Sequence, residues 1–199
     1  MKLSKRTTLA LTVVIVSACT DPSTLQPATP PASLTAECVP AQDKLDYSGC
    51  DLRGIDWSGT YLANVKLGAA NLSGNNLAGS FLAGADLSGA NLAGANLSGA
   101  DLTSANLFAA DMTGANLTGA TLTNALMYVT FLKSANLTAA DLSGADLTSA
   151  QLQGADLTAA NLQGANLSDA DLSGAILNGT QMVFVNLKGA TMPDGTVHE

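Results

Sequence analysis

The sequence is poor in charge, in aromatic rings and above all in histidine. Of its 199 residues 12% are charged, 4% are aromatic, and the single histidine, His198, stands one place from the last residue. A histidine in a solvated tail leaves the commonest general acid–base chemistry without a player. A nucleophile with a partner, a phosphate-cradling glycine loop and Cys/His metal spacing are missing too. The acidic side chains are spread singly along the chain, where they do not readily converge on a calcium ion. No catalytic residue, cofactor or metal is expected, and the chain reads as a non-enzyme. Positive charge is equally scarce: 8 Lys+Arg face 16 Asp+Glu, a formal net charge of −8. Nucleic acid and anionic lipid surfaces repel such a body.

Long apolar runs are absent. The nearest approach lies in "MKLSKRTTLALTVVIVSAC", a basic start (Lys2, Lys5, Arg6), a mostly apolar stretch, then small Ser17 and Ala18. That stretch falls short of the roughly 20 residues a membrane-crossing helix needs, and it has the charge pattern of a secretory signal. Residues 1–18 are therefore expected to be a targeting segment. Val16-Ser17-Ala18-Cys19 resembles the bacterial lipobox, which implies cleavage before Cys19 and a lipid on its sulfur, an anchor in the membrane. Thr20, where an Asp would resemble an inner-membrane retention signal, points to the outer membrane, facing the periplasm; without lipid the protein would be secreted or periplasmic. Removing the segment leaves 5 Lys+Arg against 16 Asp+Glu, or −11.

Residues 19–44 carry Pro22, Pro27, Pro30 and Pro31 among Ser, Thr and Ala and read as a semi-extended tether. Cys38 and Cys50 follow closely, and in an oxidising compartment a disulfide between them is expected.

What is abundant is one period. From Tyr47 to Met192 every fifth residue is large and apolar: of thirty, twenty-four are Leu, four Met, one Trp and one Tyr, and two residues before them twenty of thirty are Ala. On an α-helix five residues advance about 500°, so these side chains would spiral round the axis. On a flat strand five is odd, so they would alternate between faces. A chain that turns a corner once per quintet points all of them inward. Small residues at the corner suit such a turn.

This A(D/N)LXX pattern over residues 45–194 resembles the pentapeptide-repeat family. The resemblance implies an all-β fold, a right-handed quadrilateral β-solenoid with twenty residues per coil, hence about seven coils and a rod roughly 35 Å long, with residues 195–199 as a tail. Ten of the thirty positions before the central residue are Asp, and no two lie twenty apart, although pairs fifteen and twenty-five apart occur. Stacked like charges are unfavourable, so this spacing agrees with four sides. Adding twenty also aligns Asn76, Asn96, Asn116 and Asn136, a Ser98/Thr118/Thr138/Thr158 column, and the pairs Tyr61/Phe81 and Phe108/Tyr128.

The departures cluster. Leu126, Tyr128, Val129 and Phe131, with Phe108 one coil away, occupy outward positions and form a candidate partner-binding patch, unless the tether folds back over it. Ile176, Val183 and Phe184 lie near the last coil, where "MPDGTVHE" caps the open end or two rods meet as an end-to-end homodimer. Asn75, Ser80, Thr130 and Thr180 fall at inward small positions, where each needs a hydrogen-bond partner. The resulting expectation is a lipid-anchored structural or protein-interaction rod in the bacterial envelope, engaging an unknown envelope protein or wall polymer. Two alternatives stand beside it: an acidic DNA mimic of the gyrase-protecting kind, which export contradicts, and a Thr/Asn lattice for ice or carbohydrate.

Overall fold

The computed structural model describes residues 45–199. Residues 1–18, expected to be a targeting segment, residues 19–44, expected to be a tether, and with them Cys19 and Cys38 lie outside the described residues. Cys50 is disulfide-bonded, and its partner lies outside them as well.

Parallel bridges join each residue before a central position to the one twenty further on, in four columns. The first runs Asp46–Lys66–Asp86–Asn106–Leu126–Asp146–Asn166–Asn186, and the second Asp51–Asn71–Asn91–Asp111–Phe131–Gln151–Asp171–Thr191. Two further columns start at Asp56 and Tyr61. No Asp stacks on Asp in any column. The central residues Leu87, Leu92, Leu97 and Leu102 are each 0% exposed, as is Ala95 two places before Leu97, so leucine and alanine fill the interior together.

Each regular quintet satisfies all five of its backbone donors, which explains the Asp or Asn that precedes the leucine. In the quintet around Leu87, Leu87 N donates to Asn106 O at 2.7 Å and Gly89 N to Phe108 O at 2.8 Å, while Asp86 N donates back to Val65 O at 2.9 Å. Ala90 N closes the turn on Leu87 O at 3.0 Å. The remaining amide, Ser88 N, donates to Asp86 Oδ1 at 3.1 Å. Asn does the same service, as where Thr118 N donates to Asn116 Oδ1 at 3.1 Å.

These bonds favour the ionised carboxylate. Asp56 is held below its ordinary range chiefly by the Ser58 backbone amide, and Asp156, Asp171 and Asp194 chiefly by the side-chain hydroxyls of Thr158, Ser173 and Thr196. At Asp141 burial opposes ionisation, and the bonds from Ser143, Thr123 and Asn161 outweigh it. A folded-state pKa below the unfolded value gives stability that is complete above the unfolded value, near 3.9, and is lost as pH falls through the folded one. The melting temperature should therefore hold from neutrality down to about pH 5 and drop below about pH 4. Asp156→Asn, which keeps the cap, should melt normally at neutral pH and lose part of that acid sensitivity; an unchanged acid profile would count against the carboxylate caps.

The polar side chains Asn75, Ser80, Thr130 and Thr180 at the small inward positions find partners, whereas the buried Tyr47 Oη and Trp57 Nε1 have none among the described residues. Asn75 donates to Leu52 O at 2.8 Å and accepts from Gly54 N at 2.9 Å. Thr130 and Thr180 reach back one coil to Leu107 O and Leu157 O, each at 2.8 Å, and Ser80 donates to Leu77 O. Corners carry a residue with positive φ, mostly Gly. At Gly84, Gly144 and Gly189 a neighbour adds to the constraint: a Cβ on Gly84 would lie 2.5 Å from Asn64 Oδ1.

The two ends differ. In the first coil Tyr47, Leu52, Trp57 and Leu62 are at most 3% exposed, with Tyr47 and Trp57 in an edge-on contact at 5.5 Å. In the last, Leu177, Met182, Val185 and Leu187 are only partly buried. The tail turns back so that Val197 pairs antiparallel with Thr191, and His198 bonds the backbone of Gly189 and Ala190. It thus closes one stretch of the edge, while the amides of Leu177, Gly179, Met182 and Leu187 find no acceptor among the described residues.

Candidate functional site

The outward apolar residues expected from the sequence lie at one corner of the rod. Leu126 takes the place before central Met127 and bridges Asn106 and Asp146; Phe131 does the same before Leu132 and bridges Asp111 and Gln151. Tyr128 and Val129 fill the turn between them. Phe108, one coil back, stacks on Tyr128 with ring centroids 4.4 Å apart and planes tilted by 32°. Phe108 is 37% exposed, Leu126 46%, Tyr128 38% and Val129 39%, while Phe131 is half-buried.

Two costs accompany this exposure. Leu126 and Phe131 stand where Asp or Asn would cap the amide two places on, so Tyr128 N and Lys133 N lose that acceptor. Val129 also holds φ at +59°, a left-handed conformation that is costly for a β-branched side chain. Glycine occupies this corner position in most quintets. A strained, exposed valine among exposed rings gains little from internal packing. Strain of this kind marks places where something other than stability has been kept.

A second exposed group lies at the open end: Ile176 at 44%, Val183 at 53% and Phe184 at 86%. Phe184 likewise has a positive φ, +59°. From the sequence, Tyr61 and Phe81 are expected only to stack on each other. Their centroids lie 6.3 Å apart, yet Phe81 stays 41% exposed, a third apolar feature on another side. Its position just before the central residue of its quintet, shared with Leu126 and Phe131, is the signal that marks it as outward.

Among the described residues no group of three or more His, Cys, Asp or Glu could hold a metal ion. No helix there is long and apolar enough to cross a membrane. The Asn column forms a real amide chain, with Asn96 donating to Asn76 and Asn116 to Asn96, each at 3.2 Å, and Asn76 donating to Asp56 at 3.0 Å. Asn136 continues it through its backbone bridge to Asn116.

No curated protein matches this sequence. Among solved structures the chain is similar to HetL, a pentapeptide repeat protein involved in heterocyst differentiation regulation from the cyanobacterium Nostoc, with 30% identity over 78% of this chain and 94% of HetL and a TM-score of 0.27. It is similar to a pentapeptide repeat protein of the Arabidopsis thaliana thylakoid lumen, with 28% identity over 76% of this chain and 71% of that one and a TM-score of 0.21. It also resembles full-length QnrB1, a plasmid-mediated fluoroquinolone resistance protein, with 19% identity over 69% of this chain and 88% of that one and a TM-score of 0.35. The family model for pentapeptide repeats matches residues 48–124 and 132–192 in overlapping segments, 8 copies in all. With quintets from Tyr47 to Met192 and bridges at twenty-residue spacing, the chain belongs to the pentapeptide-repeat family of β-helical proteins.

Proposed function

We propose that this protein is a non-enzymatic interaction rod of the bacterial cell envelope: a right-handed, four-sided solenoid of about seven coils. In this reading a lipid on Cys19 holds it to the outer membrane, and a Cys38–Cys50 disulfide ties the tether to the first coil. Phe108, Leu126, Tyr128, Val129 and Phe131 receive an envelope protein or wall polymer. A second copy meets the open end through Ile176, Val183 and Phe184. The observation that carries the reading is the strained Val129 at the centre of an exposed apolar corner, because an otherwise polar repeat has no internal use for it.

Cross-linking of the full-length protein in living cells, followed by fractionation and mass spectrometry, tests each part. Tyr128→Asp should fold normally and lose the foreign partner, while Phe184→Asp should lose only the cross-link between two copies. Val129→Gly, which relieves the strained corner, should gain about 0.5–1 kcal/mol of stability and bind its partner more weakly. If Tyr128→Asp retains every cross-linked partner, the patch has no docking role. Unmodified Cys19 on a cytosolic protein would instead favour the DNA-mimic reading.

A further inference from the structure

Fourteen of the described residues are asparagine, and ten of them are followed by leucine, because the repeat places Asn just before its central position. In the interior that following amide is bonded across coils, as Leu97 N is to Asn116 O at 2.7 Å. Asn178 departs from this. It is the one asparagine followed by glycine, and it sits in the turn of the last coil, exposed to solvent.

The next amide, Gly179 N, occupies a position that every interior coil bonds to the coil beyond: Gly99 N donates to Thr118 O at 2.9 Å, Gly119 N to Thr138 O at 2.9 Å. Beyond Gly179 no coil follows, and its amide has no acceptor among the described residues. Ile176 stands where Asp or Asn would cap the amide of Asn178 itself. The turn that carries the pair closes loosely, Thr180 N lying 3.3 Å from Leu177 O against 3.0 Å for Ala100 N and Leu97 O. Sequence, solvent access and a free backbone nitrogen thus coincide at one place on the rod.

We infer that Asn178 is a self-modifying site, at which the native protein deamidates ahead of its other asparagines, none of which joins a following glycine to an unbonded amide. The Gly179 nitrogen, giving its proton to solvent base, adds to the Asn178 side-chain carbonyl carbon. The bond from that carbon to the amide nitrogen breaks and ammonia leaves, closing a five-membered succinimide. Water then opens the ring at either carbonyl, giving aspartate or isoaspartate, so that one water is consumed for each ammonia released. The product adds one carboxylate to the open end. In the isoaspartate form an extra methylene enters the backbone beside Asn178 O, which holds Ala159 N at 2.8 Å.

The test is peptide mapping by mass spectrometry of purified full-length protein kept folded in mildly alkaline buffer. The Asn178 peptide should gain about one mass unit ahead of every other asparagine-containing peptide. Isomerisation at Asp194, also followed by glycine, leaves mass unchanged and does not confuse the reading. Ser98→Asn supplies the structural control by placing the same dipeptide before Gly99, inside the stack. That site should react at least about tenfold more slowly than Asn178 in the folded protein, because its amide must first break a ladder bond. In denaturant the two should react at similar rates. Equal rates at both sites in the folded protein, or an Asn178 that survives native incubation unmodified, would overturn the inference.

Discussion

Leu117→Ala is expected to cost the rod about 3 kcal/mol, and Leu187→Ala less than about 1 kcal/mol, although both remove the same atoms from the same position of the repeat. Leu117 is 0% exposed, with a full coil on each side, so the lost side chain leaves a cavity that a stacked backbone cannot close. Leu187 is only partly buried in the last coil, where neighbours can settle and water already touches the side chain. Urea unfolding followed by circular dichroism reads both values. Repeat folds of this sort owe stability to contacts between neighbouring units, so position along the axis, more than residue type, should set the penalty. Equal losses at the two sites would mean that the last coil is covered as thoroughly as the middle ones.

The largest effects are expected from changing the length of the chain. Deleting residues 91–110 removes one complete coil and leaves every column in register, with Asn71 meeting Asp111 and Asn76 meeting Asn116; the shortened protein should fold, slightly less stable than its parent. Deleting residues 96–100 removes one quintet. Coils still close, but the columns shift by one side where they meet, and Asp86 comes to stack on Asp111. That like-charge pair should cost up to about 1 kcal/mol beyond the lost burial. Deleting Ser98 alone leaves a coil one residue short, so that its corner amides and Asn96 caps cannot reach their partners. A loss of about 4 kcal/mol or more is expected, since several ladder bonds fail together. Thermal melts of the three variants should rank in that order. A single-residue deletion tolerated as well as a whole coil would refute the twenty-residue pairing.

Much of this architecture was legible beforehand because the pattern is carried by residue size. Leu at every fifth place and Ala two places before it admit one common burial, and the spacing of Asp forbade like charges in a column. The same period identified Leu126, Tyr128, Val129 and Phe131 as outward. Bonds between neighbouring residues were harder to see. Asp86 was expected only as a surface charge, whereas its carboxylate closes the one amide that the ladder misses. The left-handed backbone at Val129 has no signature beyond the absence of glycine, because twelve non-glycine residues adopt the same corner conformation. Asn75 was known to need a partner, but its attachment to Leu52 spans 23 residues and depends on which carbonyl the preceding coil presents.

The unlike ends bear on how such a chain reaches its shape. The sealed coil around Tyr47 and Trp57 precedes all the others along the chain, and it offers a finished template onto which each later quintet can lay its backbone. Winding can proceed in the order in which the chain emerges, like rope taken up on a drum whose first turn is already made fast. Release should run the other way, beginning at the loose turn around Phe184 and travelling toward the secured one.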